Sequence, residues 1–442
     1  MDSQTVAGPP SESEKKSDEL SLRTVVVTPT NTELDFPEGG WEAWTVVFGG
    51  FMAFIASFGV MNTYGVFQDY YSSTLLTKSS SSTISLIGAI QIYLLYGAGP
   101  IVGRIYDAYG TSVIIPVGSF LTVFSLMMVS LAQENQPYQL FLSQGILFGI
   151  GIAAIFNPAM AVVGHWFRRR RAYAMGIVAS GSSVGGVFFP IMLQRLIPTI
   201  GFPWAVRAMA FVCLFCLVVA CFTIRTRLPG SRRITLRGLI DFDGFRDKKY
   251  VFAAAGAFLI FYALFIPYFY IEIYADMQGV PHNLAIYLLP IINATGIPSR
   301  IIPGILADRF GCLNVLVPSS IITSIFVLAL WLPARNSGEI IAFAALYGLF
   351  TGGVVSLLPA YIYKISPLEK YGARLGSLYM VVGIATLVGT PTAGAFVHVV
   401  NNKHFNGLII FCGVFIAVGG AILGLTGAFT KEERASAHVG EP

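Results

Sequence analysis

Arg300 follows a run, residues 277 to 299, that contains no Asp, Glu, Lys or Arg, and the next charge after it is Asp308. A cation in so apolar a stretch is costly, so it faces either a cavity or a partner. The alternative is that its stem snorkels to the end of the stretch, since Asp308 stands about 12 Å further along a helix. A second pattern occurs twice: Gly103, Asp107 and Gly110 reappear as Gly304, Asp308 and Gly311 at a constant offset of 201, with Arg104 and Arg309 close by. A carboxylate at a helix end pairs with nearby arginines or with the N-terminus of a neighbouring helix. The third pattern is aromatic. Phe258, Phe261, Tyr262, Phe265 and Phe269 fall at i, i+3, i+4, i+7 and i+11, one continuous helical face. Such a face either packs against helices and lipid or lines a cavity for an amphipathic ligand.

The elements that must position these residues are legible in the distribution of charge. Only 51 of 442 residues are Lys, Arg, Asp or Glu, 12% of the chain, and 55% are hydrophobic. A soluble globule of this composition would display most of its apolar side chains to water. The charges are also segregated, leaving twelve charge-free runs: 43 to 68, 79 to 103, 108 to 133, 135 to 167, 172 to 194, 208 to 224, 250 to 271, 277 to 299, 310 to 334, 340 to 363, 375 to 402 and 404 to 430. A helix needs about 20 apolar residues to cross a hydrocarbon core, and in lipid the backbone must satisfy its own hydrogen bonds. The expectation is an all-α polytopic membrane protein with twelve transmembrane helices.

Twelve crossings place 22 Lys and Arg on one side and five on the other, with Arg300 inside a span. By the positive-inside rule both termini face the cytoplasm. Residues 1–40 read as a disordered cytosolic tail, 41–224 as a six-helix bundle, 225–249 as a cytoplasmic linker, 250–430 as a second six-helix bundle and 431–442 as a cytosolic tail. Asp241 to Asp247 is expected to form a short interfacial helix. Pro267 is expected to bend its span near the outer end. The two bundles repeat one another. Pro158 and Pro359, and Pro190 and Pro391, share the offset of 201; Gly149 and Gly348 differ by 199, and Gly176 and Gly376 by 200. A repeat of this kind implies a pseudo-two-fold axis along the membrane normal and a cavity between the halves.

The paired Gly-x-x-x-Asp-x-x-Gly segments resemble the signature loop of the major facilitator superfamily. Within it, the chain is similar to the fungal monocarboxylate porter-like family over roughly residues 37 to 430. The likeness rests on Glu38-Gly39-Gly40-Trp41 leading to Trp44, Tyr64-Gly65-Val66-Phe67, Asn157-Pro158-Ala159, the Trp166 to Arg171 turn and Gly181-Ser182-Ser183-Val184-Gly185. The resemblance implies the major facilitator fold, a substrate carboxylate held by Arg300, and loops that latch the halves in one access state. The gating residues are then Gly103, Arg104, Asp107, Gly110, Gly304, Asp308, Arg309 and Gly311, with Arg168 to Arg171 as further partners for the aspartates. The substrate-binding set is Arg300 with Asn62, Tyr64, Asn157, Tyr262 and Phe265. Lactate-type relatives carry an Asp where this chain has Gly296 and a Lys where it has Asn62. Neither Gly nor Asn exchanges protons, so that proton-coupled mechanism does not carry over, and a proton as co-substrate stays open.

Other chemistry is excluded or unsupported. The four arginines at 168 to 171 sit between two spans, which makes them a contact for anionic headgroups of the bilayer and not a nucleic-acid patch. Cys213, Cys216 and Cys221 lie inside one span, the five His are scattered, and no metal site or cofactor is expected. Arg207 and Glu272 are expected at outer span ends, as vestibule charges or interfacial anchors. No P-loop and no convergent acid, base and nucleophile set are present, so an enzyme is not expected. The reading is a monomeric secondary active or facilitative transporter in the cell membrane, moving a small monocarboxylate-like anion or an amphipathic metabolite by alternating access. The alternative is an exporter of a secondary metabolite within a fungal pathway, and the remote one a transporter-like nutrient sensor.

Overall fold

The computed structural model describes residues 37–227, 243–367, 370–397 and 402–439. Most of the expected N-terminal tail, the central part of the linker and the last three residues lie outside them. Twelve helices are long and apolar enough to cross a membrane, and no strand occurs among the described residues. They are α1 (Gly40–Leu75), α2 (Thr83–Tyr106), α3 (Thr111–Val129), α4 (Pro137–Trp166), α5 (Arg171–Ile200) and α6 (Phe202–Thr223) in one half. The other half has α7 (Lys248–Met277), α8 (His282–Phe310), α9 (Cys312–Trp331), α10 (Ser337–Ile365), α11 (Tyr371–Ala393) and α12 (Phe405–Gly427). Of the short helix expected at Asp241 to Asp247, the first two residues lie outside the described ones, and a one-turn 3-10 helix, Gly244–Arg246, precedes α7. The backbone of the last helix stays helical to Val439, well past residue 430.

Large apolar side chains such as Phe120, Phe215 and Phe222 stand exposed on the flanks of the bundle. In lipid these contacts replace the core burial of a soluble protein. Trp41 and Trp204, at helix ends, are exposed as well, the usual place for aromatic anchors at the membrane interface.

Two of the helices are broken at related places. In α1 the helix widens over Ile55–Gly59 and turns at Asn62 and Thr63, where the Thr63 hydroxyl takes up the carbonyl of Gly59 at 2.9 Å. In α7 the break is at Phe265, just before Pro267, whose missing N–H and ring prevent regular continuation. The break therefore sits deeper in the span than a bend at its outer end. Thr63 and Phe265 differ by 202, so the breaks obey the repeat seen in the sequence. Irregular backbone at membrane depth is tolerated where it lies inside protein, which is where both breaks are.

The paired glycine motifs have a direct physical reading. Gly110 between α2 and α3 has φ 68°, and Gly311 between α8 and α9 has φ 96°, conformations that a side chain would strain. The first glycine of each motif marks a close helix crossing. A Cβ on Gly103 would meet the Gly372 carbonyl oxygen at 3.4 Å, and one on Gly304 the Ala172 carbonyl oxygen at 2.6 Å. The halves thus meet along two equivalent seams, α2 with α11 and α8 with α5. Further along the same seams Gly99 faces Gly376, and Arg300, offset by 201 from Gly99, faces Gly176. Helices in lipid gain little from hydrophobic burial against each other, so small residues that allow backbone approach set the seam.

Candidate functional site

Arg300 sits in the middle of α8 on that seam and is only 2% exposed. It does not snorkel. Room for its side chain comes from small neighbours: Gly296 one turn earlier, and Gly352 on α10, where an added Cβ would press on the Arg300 stem. One terminal nitrogen donates to the hydroxyl of Ser183 on α5, in the opposite half, whereas Nε–H has no partner. Among the described residues no carboxylate forms an ion pair with it. Its electrostatic neighbours are the phenols of Tyr96 on α2 and Tyr268 on α7.

Tyr96 is the centre of an aromatic cluster drawn from both halves. Its ring lies 5.7 Å from Phe156, 6.4 Å from Phe58, 5.8 Å from Phe261 and 5.4 Å from Tyr379. The hydroxyls of Tyr96, Tyr379 and Ser299 are buried without hydrogen-bond partners. An unsatisfied buried polar group costs about 1–3 kcal/mol, so native proteins keep few of them. Ser299 and Tyr96 neighbour Arg300 directly and Tyr379 joins through the Tyr96 ring, an arrangement expected of a site that recognises a polar, negatively charged ligand with an apolar body.

The residues expected from sequence divide into those brought together here and those that are not. Asn62, at the α1 break, donates from Nδ2 to Asn293 Oδ1 on α8 at 3.1 Å, linking the halves. With Tyr64, Phe265 and Tyr268 it lines a cavity of about 10 Å³, room for roughly one water. Phe265 reaches the cluster through Phe58 and Tyr268. Tyr64 has a bracing part: its hydroxyl donates to the Ile84 carbonyl at 2.5 Å, and its ring fills the space left by Gly88. Asn157 turns its amide back onto the Ala153 carbonyl, while its neighbour Phe156 enters the cluster.

Tyr262 corrects the expectation of one aromatic face. It packs on Phe411 and Phe415 of α12, with its hydroxyl near Thr392, and is not among the tyrosines that neighbour Arg300. Adjacent residues on a helix point about 100° apart. Phe258 and Tyr262 therefore form one stripe toward α12, and Phe261 and Phe265 another toward the centre. Sequence reasoning missed Tyr96, Tyr268 and Tyr379, three of 20 tyrosines with no distinguishing spacing. Arg207 and Glu272 do not join the site either. Arg207 donates to Ser130 and covers Trp204, and Glu272 lies nearer Asp69 and Asp276.

The end of the molecule that carries the arginine run is closed by two carboxylates at the start of α5. Asp308, from the other half, accepts from the backbone N–H of Ala172 at 3.0 Å and of Tyr173 at 2.9 Å. Of the two kinds of partner expected from sequence it takes the helix N-terminus, whose exposed N–H groups carry partial positive charge, and among the described residues it forms no ion pair with an arginine. Arg309 lies over the Phe310 ring instead. The side chain of Asp107 lies outside the described residues, and Arg104 is half-buried on the same stretch. Glu38, not expected in this part, accepts from the N–H groups of Arg168, Arg169 and Arg170 at 2.8, 2.6 and 3.3 Å. The Glu-Gly-Gly-Trp segment makes this possible: Gly40 has φ 86°, and Trp44 packs edge-on against Phe167 at 5.2 Å.

Comparison with known proteins places this architecture. The model of the Major Facilitator Superfamily matches residues 46–332 and 300–441, and the chain belongs to that family of transporters. It is 42% identical over 413 residues to an MFS-type transporter of an Ophiocordyceps species, covering 92% of this chain and 90% of that one. It is 39% identical to the fujikurins efflux protein of Gibberella fujikuroi, over 88% of this chain and 83% of the relative. It is 36% identical to the aspyridones efflux protein of Emericella nidulans, over 89% and 80% respectively. The fold is shared with the human organic anion transporter MFSD10, at a TM-score of 0.69 and 13% identity, over 86% of this chain and 98% of that one.

Proposed function

We propose that the protein exports an amphipathic organic anion of the secondary-metabolite class by alternating access. The observation that carries the reading is Arg300: a buried cation without a carboxylate partner among the described residues, at the seam between the halves, beside Tyr96 of one half and Tyr268 of the other. A bidentate guanidinium suits a carboxylate or enolate, and the rings suit a body larger than that of a short-chain acid. The efflux names of relatives at 36% and 39% identity support export over uptake of a small monocarboxylate.

Substrate enters when the halves part at the basic end; the excess of Lys and Arg there supports a cytoplasmic side, and export implies the cell membrane as the site of action. Arg300 and Ser183 then lie on opposite walls and close around the anion as the halves rock together. The breaks in α1 and α7 supply the bending points. The test uses inverted vesicles containing the full chain and a panel of acidic aromatic metabolites, compared with lactate and pyruvate. Accumulation of the former that is lost in Arg300→Ala supports the reading. Transport confined to lactate or pyruvate, or undiminished in Arg300→Ala, would overturn it. Imposing a pH gradient on the same vesicles tests proton coupling.

A further inference from the structure

We propose that the basic end holds a second anion site, distinct from Arg300, that takes a phosphate group and bridges the two halves. A cavity of about 450 Å³ opens there, lined by Arg168, Arg169 and Arg171 at the start of α5 and by Tyr363, Lys364 and Ser366 at the end of α10. Asp308 and Cys312 also line it. Its volume is in the range of small-ligand sites.

The cavity gathers four cations and one carboxylate, and that carboxylate is already committed. Both Asp308 oxygens face the N–H groups of Ala172 and Tyr173, and Glu38 is engaged with the backbone of residues 168 to 170. None of the ion pairs formed among the described residues involves Arg168, Arg169, Arg171 or Lys364.

Arg171 is the organising residue. It is 4% exposed, with Nε donating to Phe167 O at 3.0 Å and Nη2 to Gly164 O at 2.7 Å, while its guanidinium lies over the Tyr363 ring of the other half. Its remaining corner, Nη1, has no hydrogen-bond partner, and neither does the buried hydroxyl of Ser366. Two unused buried polar groups, one from each half, thus border a cavity whose lining carries more positive than negative charge.

Closing the basic end brings Lys364 of one half to the same cavity as three arginines of the other. Like charges oppose that approach, and an oxyanion placed among them converts repulsion into a bridge. A phosphate group fits this pattern of donors: it offers several acceptor oxygens to a guanidinium corner, a hydroxyl and an ammonium at once. Free phosphate and the monoester headgroup of a phospholipid present the same chemistry. The bound anion would favour the conformation closed at this end and so set how often the transporter opens to that side.

Cys312 gives a reporter inside the cavity. The experiment places the full chain in phosphatidylcholine nanodiscs and measures N-ethylmaleimide labelling of Cys312 by peptide mass spectrometry. One arm adds inorganic phosphate, with chloride at matched ionic strength as control, and a second includes phosphatidic acid in the disc. Slowed labelling in either arm supports the site, and the arm in which it occurs identifies the source. Lys364→Gln and Arg168→Gln, both at exposed positions, are expected to raise the half-saturating concentration about tenfold each, the worth of one charge-assisted contact. No protection in either arm, or protection in both variants at the same phosphate concentration as in the wild type, would overturn the proposal.

Discussion

The carboxylate of Asp308 and the backbone N–H of Ala172 meet at 3.0 Å across the seam between the two halves. In the proposed alternating-access cycle this contact is lost when the basic end opens, because the two groups belong to helices of opposite halves. A carboxylate capping a helix N-terminus contributes about 1 kcal/mol, or roughly a fivefold change in a two-state population. Asp308→Ala is therefore expected to shift the resting distribution toward the conformation open at that end. Distance distributions between spin labels on the two halves would show a larger share of the long distance. An unchanged distribution would mean that the contact does not latch.

Gly176 tests the seam itself. A side chain there would land on the Arg300 carbonyl oxygen, and neither backbone can yield without moving a helix. Gly176→Ala is expected to prevent closure of the α5 and α8 seam, with transport lost while the protein still inserts and purifies. Gly424→Ala on α12 is the control, because its new Cβ would find Val317 at an ordinary 3.6 Å. Overpacking of this sort costs about 1–3 kcal/mol where neighbours can adjust, so a bulkier Gly176→Val should be worse. Equal transport in the Ala variants of Gly176 and Gly424 would show that the close crossing is dispensable.

Glu38 stands outside the membrane core but holds the turn from which α5 departs. Its carboxylate serves three consecutive backbone N–H groups, at residues 168 to 170. Glu38→Gln keeps one acceptor oxygen and removes the charge, so a loss of about 1 kcal/mol is expected, and more for Glu38→Ala. Thermal unfolding of the purified protein should show this order. If both variants melt with the wild type, the segment before α1 is not anchored through this residue.

What was legible in the sequence follows from what each feature had to do. Lipid demands long charge-free helices, so the twelve spans and the repeat could be read from spacing alone. The glycines of the paired motifs were equally legible, since a positive φ at Gly110 and Gly311 and close crossings at Gly103 and Gly304 leave no other residue type comfortable. Arg300 was visible because a charge in a span has no bland surroundings. Its companions were not. Tyr96 and Tyr379 look like any other tyrosine of a membrane helix, and only the crossing of α2 and α11 brings them together. Tyr262 misled for a related reason: an aromatic stripe records a helical face without saying which of its two edges turns inward.

The same two tyrosines supply the sharpest test of the central site. Their hydroxyls are buried without partners, and a buried hydroxyl with nothing to bond destabilises the fold by about 1–3 kcal/mol. Replacing either with Phe keeps the ring, and hence the cluster, while removing the unsatisfied group. Were these hydroxyls incidental, Tyr96→Phe and Tyr379→Phe would leave transport unchanged and raise stability. If they serve the bound anion together with Arg300, stability should still rise or hold, but transport should fall, with the half-saturating concentration rising about tenfold for one lost hydrogen bond to a charged ligand. Measuring unfolding temperature and transport on the same preparations separates the two cases. A fall in both would point to a packing defect, and neither variant would then support a role in binding.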